Sequence, residues 1–342
     1  MNFLSVYLLR VMAVSAAGFM LAAATASADP TYTFQTLDNA GDPAFNQLLG
    51  INNAGEIGGY FGDGVVQPNK GYISPAVRAT NHANENFPAS VQTQVVGINN
   101  NASPITVGFY IDAAGNNFGF FNVGGSFTSV TGPNVPTTGP TVTQLLGVNN
   151  AGAVVGFDTD AGGNDHGIVG NVLSSNTKEL ILPASFNAVS TTLSDINNSN
   201  FASGFYTDMA GNTHGFVCNV MSAACMSYDD PNGTNTMFLG LNNNGQVVGS
   251  FVDVNGETQG VLFNELTNTF QTISDPHSSA AAAFNVTGTT INGINDQGQL
   301  VGFYLDGANV HVLLASPTPE PASLALFGVG LFGVWFARRR RH

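Results

Sequence analysis

Gly50-Ile51-Asn52-Asn53-Ala54-Gly55 decides the fold, because the phrase returns along the chain. Later copies are Gly97-Ile98-Asn99-Asn100, Gly147-Val148-Asn149-Asn150-Ala151-Gly152 and Asp195-Ile196-Asn197-Asn198. The last two are Gly240-Leu241-Asn242-Asn243-Asn244-Gly245 and Gly293-Ile294-Asn295-Asp296-Gln297-Gly298. Successive first asparagines lie 47, 50, 48, 45 and 53 residues apart. Six copies at that period mean a repeat architecture, not a conventional single core.

Each repeat divides into four strand signals. An apolar stretch such as Gln144-Leu145-Leu146-Gly147-Val148 leads into the Asn-Asn turn, and a second strand such as Val154-Val155-Gly156-Phe157 leaves it. An Asp-x-x-Gly turn follows, as in Asp112–Gly115, Asp208–Gly211 and Asp253–Gly256. A third strand begins around a His-Gly-Phe segment (His214-Gly215-Phe216), and a fourth carries an aromatic (Phe270-Gln271-Thr272-Ile273). Both turn types supply the positive-φ positions that tight hairpins need. Four antiparallel strands in such a repeat fit a propeller blade. The sixth repeat has its second strand, Leu300 to Leu305, and its third, Val310 to Ala315, but no fourth. Thr33-Phe34-Gln35-Thr36-Leu37-Asp38 matches the fourth strand of the fifth repeat and precedes the first Asn-Asn turn. The expected fold is therefore all-β, a six-bladed β-propeller of four-stranded repeats closed by the N-terminal strand. An open β-solenoid or a β-prism is the alternative.

The two ends of the chain read differently from its body. Arg10 precedes an apolar stretch from Val11 to Ala24, and Ala26-Ser27-Ala28 is a small-x-small cleavage site before Asp29. Residues 1–28 are expected to be a secretory signal peptide, with Ala26 and Ala28 flanking the cleavage position. At the other end, Pro319-Glu320-Pro321 precedes an uncharged run from Ala322 to Ala337 and the cluster Arg338, Arg339, Arg340 and Arg341. As a helix the run extends roughly 24 Å, at the short end of what spans a bilayer. The arginines would hold its end on the cytoplasmic side. The body is then about residues 29–316, and the tail 317–342.

That tail resembles a PEP-CTERM sorting tail. The resemblance implies export through the Sec machinery, tethering to the inner membrane through the helix, and recognition of Pro319, Glu320 and Pro321 by an exosortase, a membrane-embedded transpeptidase or protease. It further implies release to the cell surface or extracellular space of a Gram-negative bacterium. The body resembles the HAF-type extracellular repeat on its His-Gly-Phe segments. The match is loose: the first repeat has Lys70-Gly71-Tyr72 and the sixth has His311-Val312. That family brings no assigned chemistry.

The body keeps three basic residues, Lys70, Arg78 and Lys178, against 21 acidic ones, a formal charge of −18. Such a surface repels nucleic acid and anionic headgroups. His166, His214 and His311 share one repeat position, where other repeats hold Asn117, Gln259 and Lys70. They would meet as metal ligands only by converging on the axis. Asp158, Asp160 and Asp165 form a sketch of a calcium loop, with carboxylates two apart and glycine at the bend. A decorated hairpin turn accounts for the same residues. No other cofactor is expected.

Cys218 and Cys225, the only cysteines, flank a third-to-fourth-strand connection and suit a cross-hairpin disulfide in an oxidising compartment. The stretches Pro75–Ser90, Thr131–Thr143 and Asp275–Thr287 are expected as inter-blade loops on one face. No Gly-x-Ser-x-Gly elbow, His-Glu-x-x-His motif or phosphate-cradling loop is present. The sequence therefore suggests a non-catalytic binding or structural component of an exopolysaccharide or biofilm layer. The alternatives are a polysaccharide hydrolase or lyase working through a carboxylate pair, and a calcium-stabilised scaffold.

Overall fold

The computed structural model describes residues 30–42, 44–75, 82–278, 288–307 and 309–318. Residues 1–28, expected as a signal peptide, the apolar run 322–337, the arginine cluster and the Pro-Glu-Pro motif lie outside the described residues. Among the described residues no helix is long and apolar enough to cross a membrane.

Tyr32–Thr318 forms one compact unit of six four-stranded antiparallel sheets. Blade one holds β2 (Asn46–Ile51), β3 (Glu56–Phe61), β4 (Lys70–Pro75) and the two-residue β5 (Ala83–Asn84). Blade two holds β6 (Gln92–Ile98), β7 (Ile105–Ile111), β8 (Asn117–Val123) and β9 (Ser126–Val130). Blade three holds β10 (Thr143–Val148), β11 (Ala153–Thr159), β12 (Asp165–Asn171) and β13 (Thr177–Glu179). Blade four holds β14 (Ala188–Ile196), β15 (Phe201–Asp208), β16 (Thr213–Asn219) and β17 (Ala224–Tyr228). Blade five holds β18 (Gly233–Leu241), β19 (Gln246–Asp253), β20 (Thr258–Asn264) and β21 (Thr269–Ile273). Blade six runs β22 (Thr289–Ile294), β23 (Leu300–Asp306) and β24 (Asn309–Pro317), and its outer strand is β1 (Tyr32–Thr36). β1 pairs antiparallel with β24 from Tyr32↔Pro317 to Thr36↔Leu313. The ring is closed by exchange between the chain's ends, as the sequence match predicts. Pro75–Ser90 departs from its expected reading, because it contains β5 and so belongs partly to a blade.

Turn chemistry sets the two faces apart. Each Asn-x-x-Gly hairpin uses the first asparagine as an Asx turn: Asn52 Oδ1 accepts from the backbone of Ala54 (3.0 Å) and Glu56 (2.9 Å), with Gly55 at φ 78°. On the opposite face Asp208 does the same for Ala210 and Asn212 (2.8 Å each), with Gly211 at φ 87°. The acceptor role is shared, so it does not explain why one face uses Asn and the other Asp. The amide nitrogen does. Asn52 Nδ2 donates to the Asn99 carbonyl, Asn99 to Asn149, Asn149 to Asn197, Asn197 to Asn242, Asn242 to Asn295 and Asn295 back to Asn52, at 3.0–3.2 Å. An aspartate can accept in the turn but cannot donate to the next blade.

A second ring lies beside the first. Asn100, Asn150, Asn198, Asn243, Asp296 and Asn53 each accept, through the side chain, the backbone N–H of the equivalent residue one blade earlier. The six blades are thus laced by two closed circles of side-chain hydrogen bonds at one end of the axis.

The core is divided between blades. Leu48, Ile57 and Tyr72 of blade one pack with Val301, Val312 and Leu314 of blade six, and equivalent clusters fill the other joints. Cys218 and Cys225 are register partners on β16 and β17 and form a disulfide. Closing so short a loop contributes about 2.5 kcal/mol in the chain-entropy account.

Candidate functional site

All six inner strands bulge at one position, where the register slips between Leu48/Gly50, Val95/Gly97, Leu145/Gly147, Leu193/Asp195, Phe238/Gly240 and Ile291/Gly293. The bulge re-aims the skipped residue. Leu49, Val96, Leu146, Ser194, Leu239 and Asn292 are these residues, and all six line an axial cavity of about 340 Å³. A cavity of this size falls in the small-ligand range of about 300–1,000 Å³. Opposite the bulge the second strand carries glycine: a Cβ on Gly156 would collide with the Gln144 carbonyl, and one on Gly249 with that of Met237. That collision explains the glycine of the recurring Val-Val-Gly-Phe signal.

The cavity narrows toward the asparagine rings. A Cβ on Gly97 would lie 3.1 Å from the Gly147 Cα, and one on Gly240 3.0 Å from the Gly293 Cα, so the backbones nearly touch. Toward the other face the lining carries Gln47, Gln94 and Gln144 beside Phe109, Phe157 and Phe205. Gln94 faces Phe109 across the strand pair, and Gln144 faces Phe157. One side of the funnel is therefore a staircase of paired amides and rings. Ser194 is also a lining residue, its hydroxyl oxygen buried and without a hydrogen-bond partner among the described residues.

Asp195 is the one departure from glycine among the six copies of the motif, and it stands at the constriction. Oδ1 accepts from its neighbour Ile196 N at 2.8 Å, and Oδ2 from Leu241 N of the next blade at 3.1 Å. Burial pushes its carboxyl up to about 7, against the lowering effect of those two N–H groups. Folding therefore takes up a proton between the ordinary carboxylate range and pH 7. Stability from this group is fully present below about pH 4 and is lost as pH rises to about 7. At roughly 1.4 kcal/mol per pKa unit the change is on the order of 4 kcal/mol. Asp195→Asn should flatten the melting temperature over that interval, measured across a pH series; an unchanged slope would place the proton elsewhere.

Asp165 is the other carboxylate of the lining, and among the described residues no cationic side chain joins them. Burial raises the Asp165 carboxyl, opposed by a 2.8 Å hydrogen bond from the Thr159 hydroxyl. Its two partners in the calcium reading are engaged elsewhere. Asp158 is fully buried and accepts from Asn134, through the backbone N at 2.6 Å and Nδ2 at 3.1 Å. Asp160 caps its turn through Gly162 N and Asn164 N. Among the described residues no three His, Cys, Asp or Glu side chains come together as a metal site.

The histidines do not converge. His166 bridges Asp160 (3.1 Å) and Glu179 (2.8 Å), His214 bridges Asp208 (3.4 Å) and Asp229 (2.9 Å), and His311 meets Asp38 at 2.6 Å. His166 and His214 clasp their own hairpin turns to their own outer strands. Burial lowers both imidazoles, but the carboxylate partners outweigh it and hold them above the usual range.

The axial residues were open to view in the sequence. Glutamine recurs three positions before the motif glycine in the first three repeats, Phe follows the second-strand glycine in four, and Asp replaces glycine once. Their common destination needs the bulge, which no local signal announces.

A PEP-CTERM protein-sorting motif matches residues 317–341. It implies an exported, surface-directed protein. No curated protein matches the chain by sequence. By structure it is similar to a protein of unknown function from Dyadobacter fermentans, at 9% identity and TM-score 0.53, over 82% of this chain and 98% of that one. It is also similar to Trypanosoma rangeli sialidase, solved with 2,3-difluorosialic acid, at 10% identity and TM-score 0.50, over 84% of this chain. The chain spans 58% of that sialidase and 57% of TolB from Acinetobacter baumannii. At these identities the likeness concerns the fold alone.

Proposed function

We propose that this is an exosortase-processed surface protein whose propeller binds, without turning over, a component of the exopolysaccharide layer. The observation that carries the binding reading is the axial funnel, where free amides and phenylalanine rings face one small cavity. Amide hydrogen bonding and apolar ring faces suit a carbohydrate, whose hydroxyls and C–H faces need both. The acidic surface keeps nucleic acid away, and the sorting motif supplies the destination.

Two measurements test the reading. Glu320→Ala should leave the protein in the inner-membrane fraction; release equal to that of the parent would remove the exosortase step. Purified protein should be retained on immobilised exopolysaccharide of its host and should release no reducing ends from it. Reducing ends that vanish with Asp165→Asn or Asp195→Asn would instead make the body a hydrolase working through those two carboxylates.

A further inference from the structure

We propose that the funnel receives the end of a neutral glycan chain, inserted end-on, rather than a stretch of chain lying across it. The inference rests on the carbohydrate-binding reading and adds the charge and the direction of the ligand.

Direction follows from the closed end. The inner strands crowd together at the motif glycines, and beyond them the two asparagine rings leave a space of only about 50 Å³. A polymer cannot thread through such an axis, so only a terminus reaches the lining below the mouth. The polar groups are arranged for that terminus. Gln94 and Gln144 offer amides with no partner among the described residues, higher on the wall. Ser194, 5% exposed, lines the cavity one residue from the constriction. Phe109, Phe157 and Phe205 supply apolar faces from consecutive blades.

Charge follows from the lining. Among the described residues Asp165 and Asp195 are its only ionisable side chains, and no Lys, Arg or His lines it. A uronate or sulfated sugar would be brought into a low-dielectric cavity of an acidic body, beside the Asp165 and Asp195 carboxyl groups and with no lining cation among the described residues to pair it. A neutral sugar meets acceptors that take its hydroxyl protons.

The test uses the full chain. Calorimetric titration with maltohexaose, cellohexaose, laminarihexaose and mannohexaose should find at least one that binds. Hexagalacturonate, and α-cyclodextrin as a ring without ends, should not. Gln94→Leu and Gln144→Leu should each weaken the productive hexaose at least tenfold, whereas Leu173→Ser, on an exposed turn of blade three, should leave it unchanged. Mild acid cleavage of host exopolysaccharide should raise the protein bound per gram in step with the number of chain ends. Capacity that tracks mass alone, or equal binding of hexagalacturonate, overturns the inference while leaving retention on the polysaccharide intact. If none of the four hexaoses binds at millimolar concentration, the inference fails whatever the column shows. Loss of retention on every polysaccharide fails the broader reading.

Discussion

Asn99→Ala is expected to lower the unfolding free energy by about 2–4 kcal/mol, and the melting temperature by roughly 8 °C for a domain of this size. Asn99 is 2% exposed and does three things. Its Oδ1 accepts from Ile105 N at 2.8 Å and Asn101 N at 3.3 Å, and its Nδ2 donates to the Asn149 carbonyl of the next blade at 3.1 Å. Alanine leaves the Ile105 N–H without its acceptor, a penalty of about 1–3 kcal/mol, and removes one of the two hydrogen bonds to the Asn149 carbonyl, which keeps Gly152 N at 3.0 Å, for about 1 kcal/mol more. Asn99→Asp separates the roles. It keeps the turn acceptor, removes the donor, and sets a carboxylate against a carbonyl. At pH 7 it should be at least as damaging as alanine, with partial recovery in acid as the carboxyl gains a proton to donate. Asp112→Asn makes the reverse exchange on the opposite face, where the turn acceptor has no inter-blade duty, and should change stability little. Urea unfolding of the three variants decides the matter. Equal midpoints for Asn99→Asp and the parent would mean that the ring contributes nothing beyond the turns.

Deleting Tyr32–Thr36 should be comparably severe. β1 covers the outer edge of β24 from Leu313 to Pro317, and its Tyr32 and Phe34 pack on the cluster containing Leu313 and Ala315. Removing two half-buried aromatics costs on the order of 3–5 kcal/mol. It also exposes a five-residue hydrogen-bonding edge, Leu313 to Pro317, which invites pairing between molecules. The shortened protein should unfold at lower urea and elute partly as aggregate. A synthetic peptide of residues 30–38, added in trans, should restore the monomer by β-augmentation. A deletion variant that melts like the parent would show that five blades and three strands suffice.

Much of this architecture was legible because it is local and repeated. Asn-x-x-Gly and Asp-x-x-Gly are turn chemistry within six residues, and the likeness of Thr33-Phe34-Gln35-Thr36 to Thr269-Phe270-Gln271-Thr272 located the closing strand. The site was less legible. Why Asn52 and its five equivalents are amides depends on a carbonyl some 50 residues away, and the re-aiming of Ser194 and Asn292 depends on a bulge. The histidine position was visible as a repeat, but its role required the outer-strand carboxylates Glu179 and Asp229, which share no common spacing. The disulfide was readable because its two cysteines flank one hairpin. The calcium sketch misled for the opposite reason: alternation along β11 places Asp158 and the start of the next turn on different errands.

The register of β1 against β24 also has a mechanical meaning. Pro317, where the sorting motif begins, is the last residue of a strand gripped by β23 on one side and β1 on the other. A pull on that end along the strand loads both ladders in shear, so many hydrogen bonds must yield together. A pull across the sheet would peel them one at a time. Tension applied at Pro317 thus meets a strand paired on both edges, and the five residues that complete the ring double as a splint for that end.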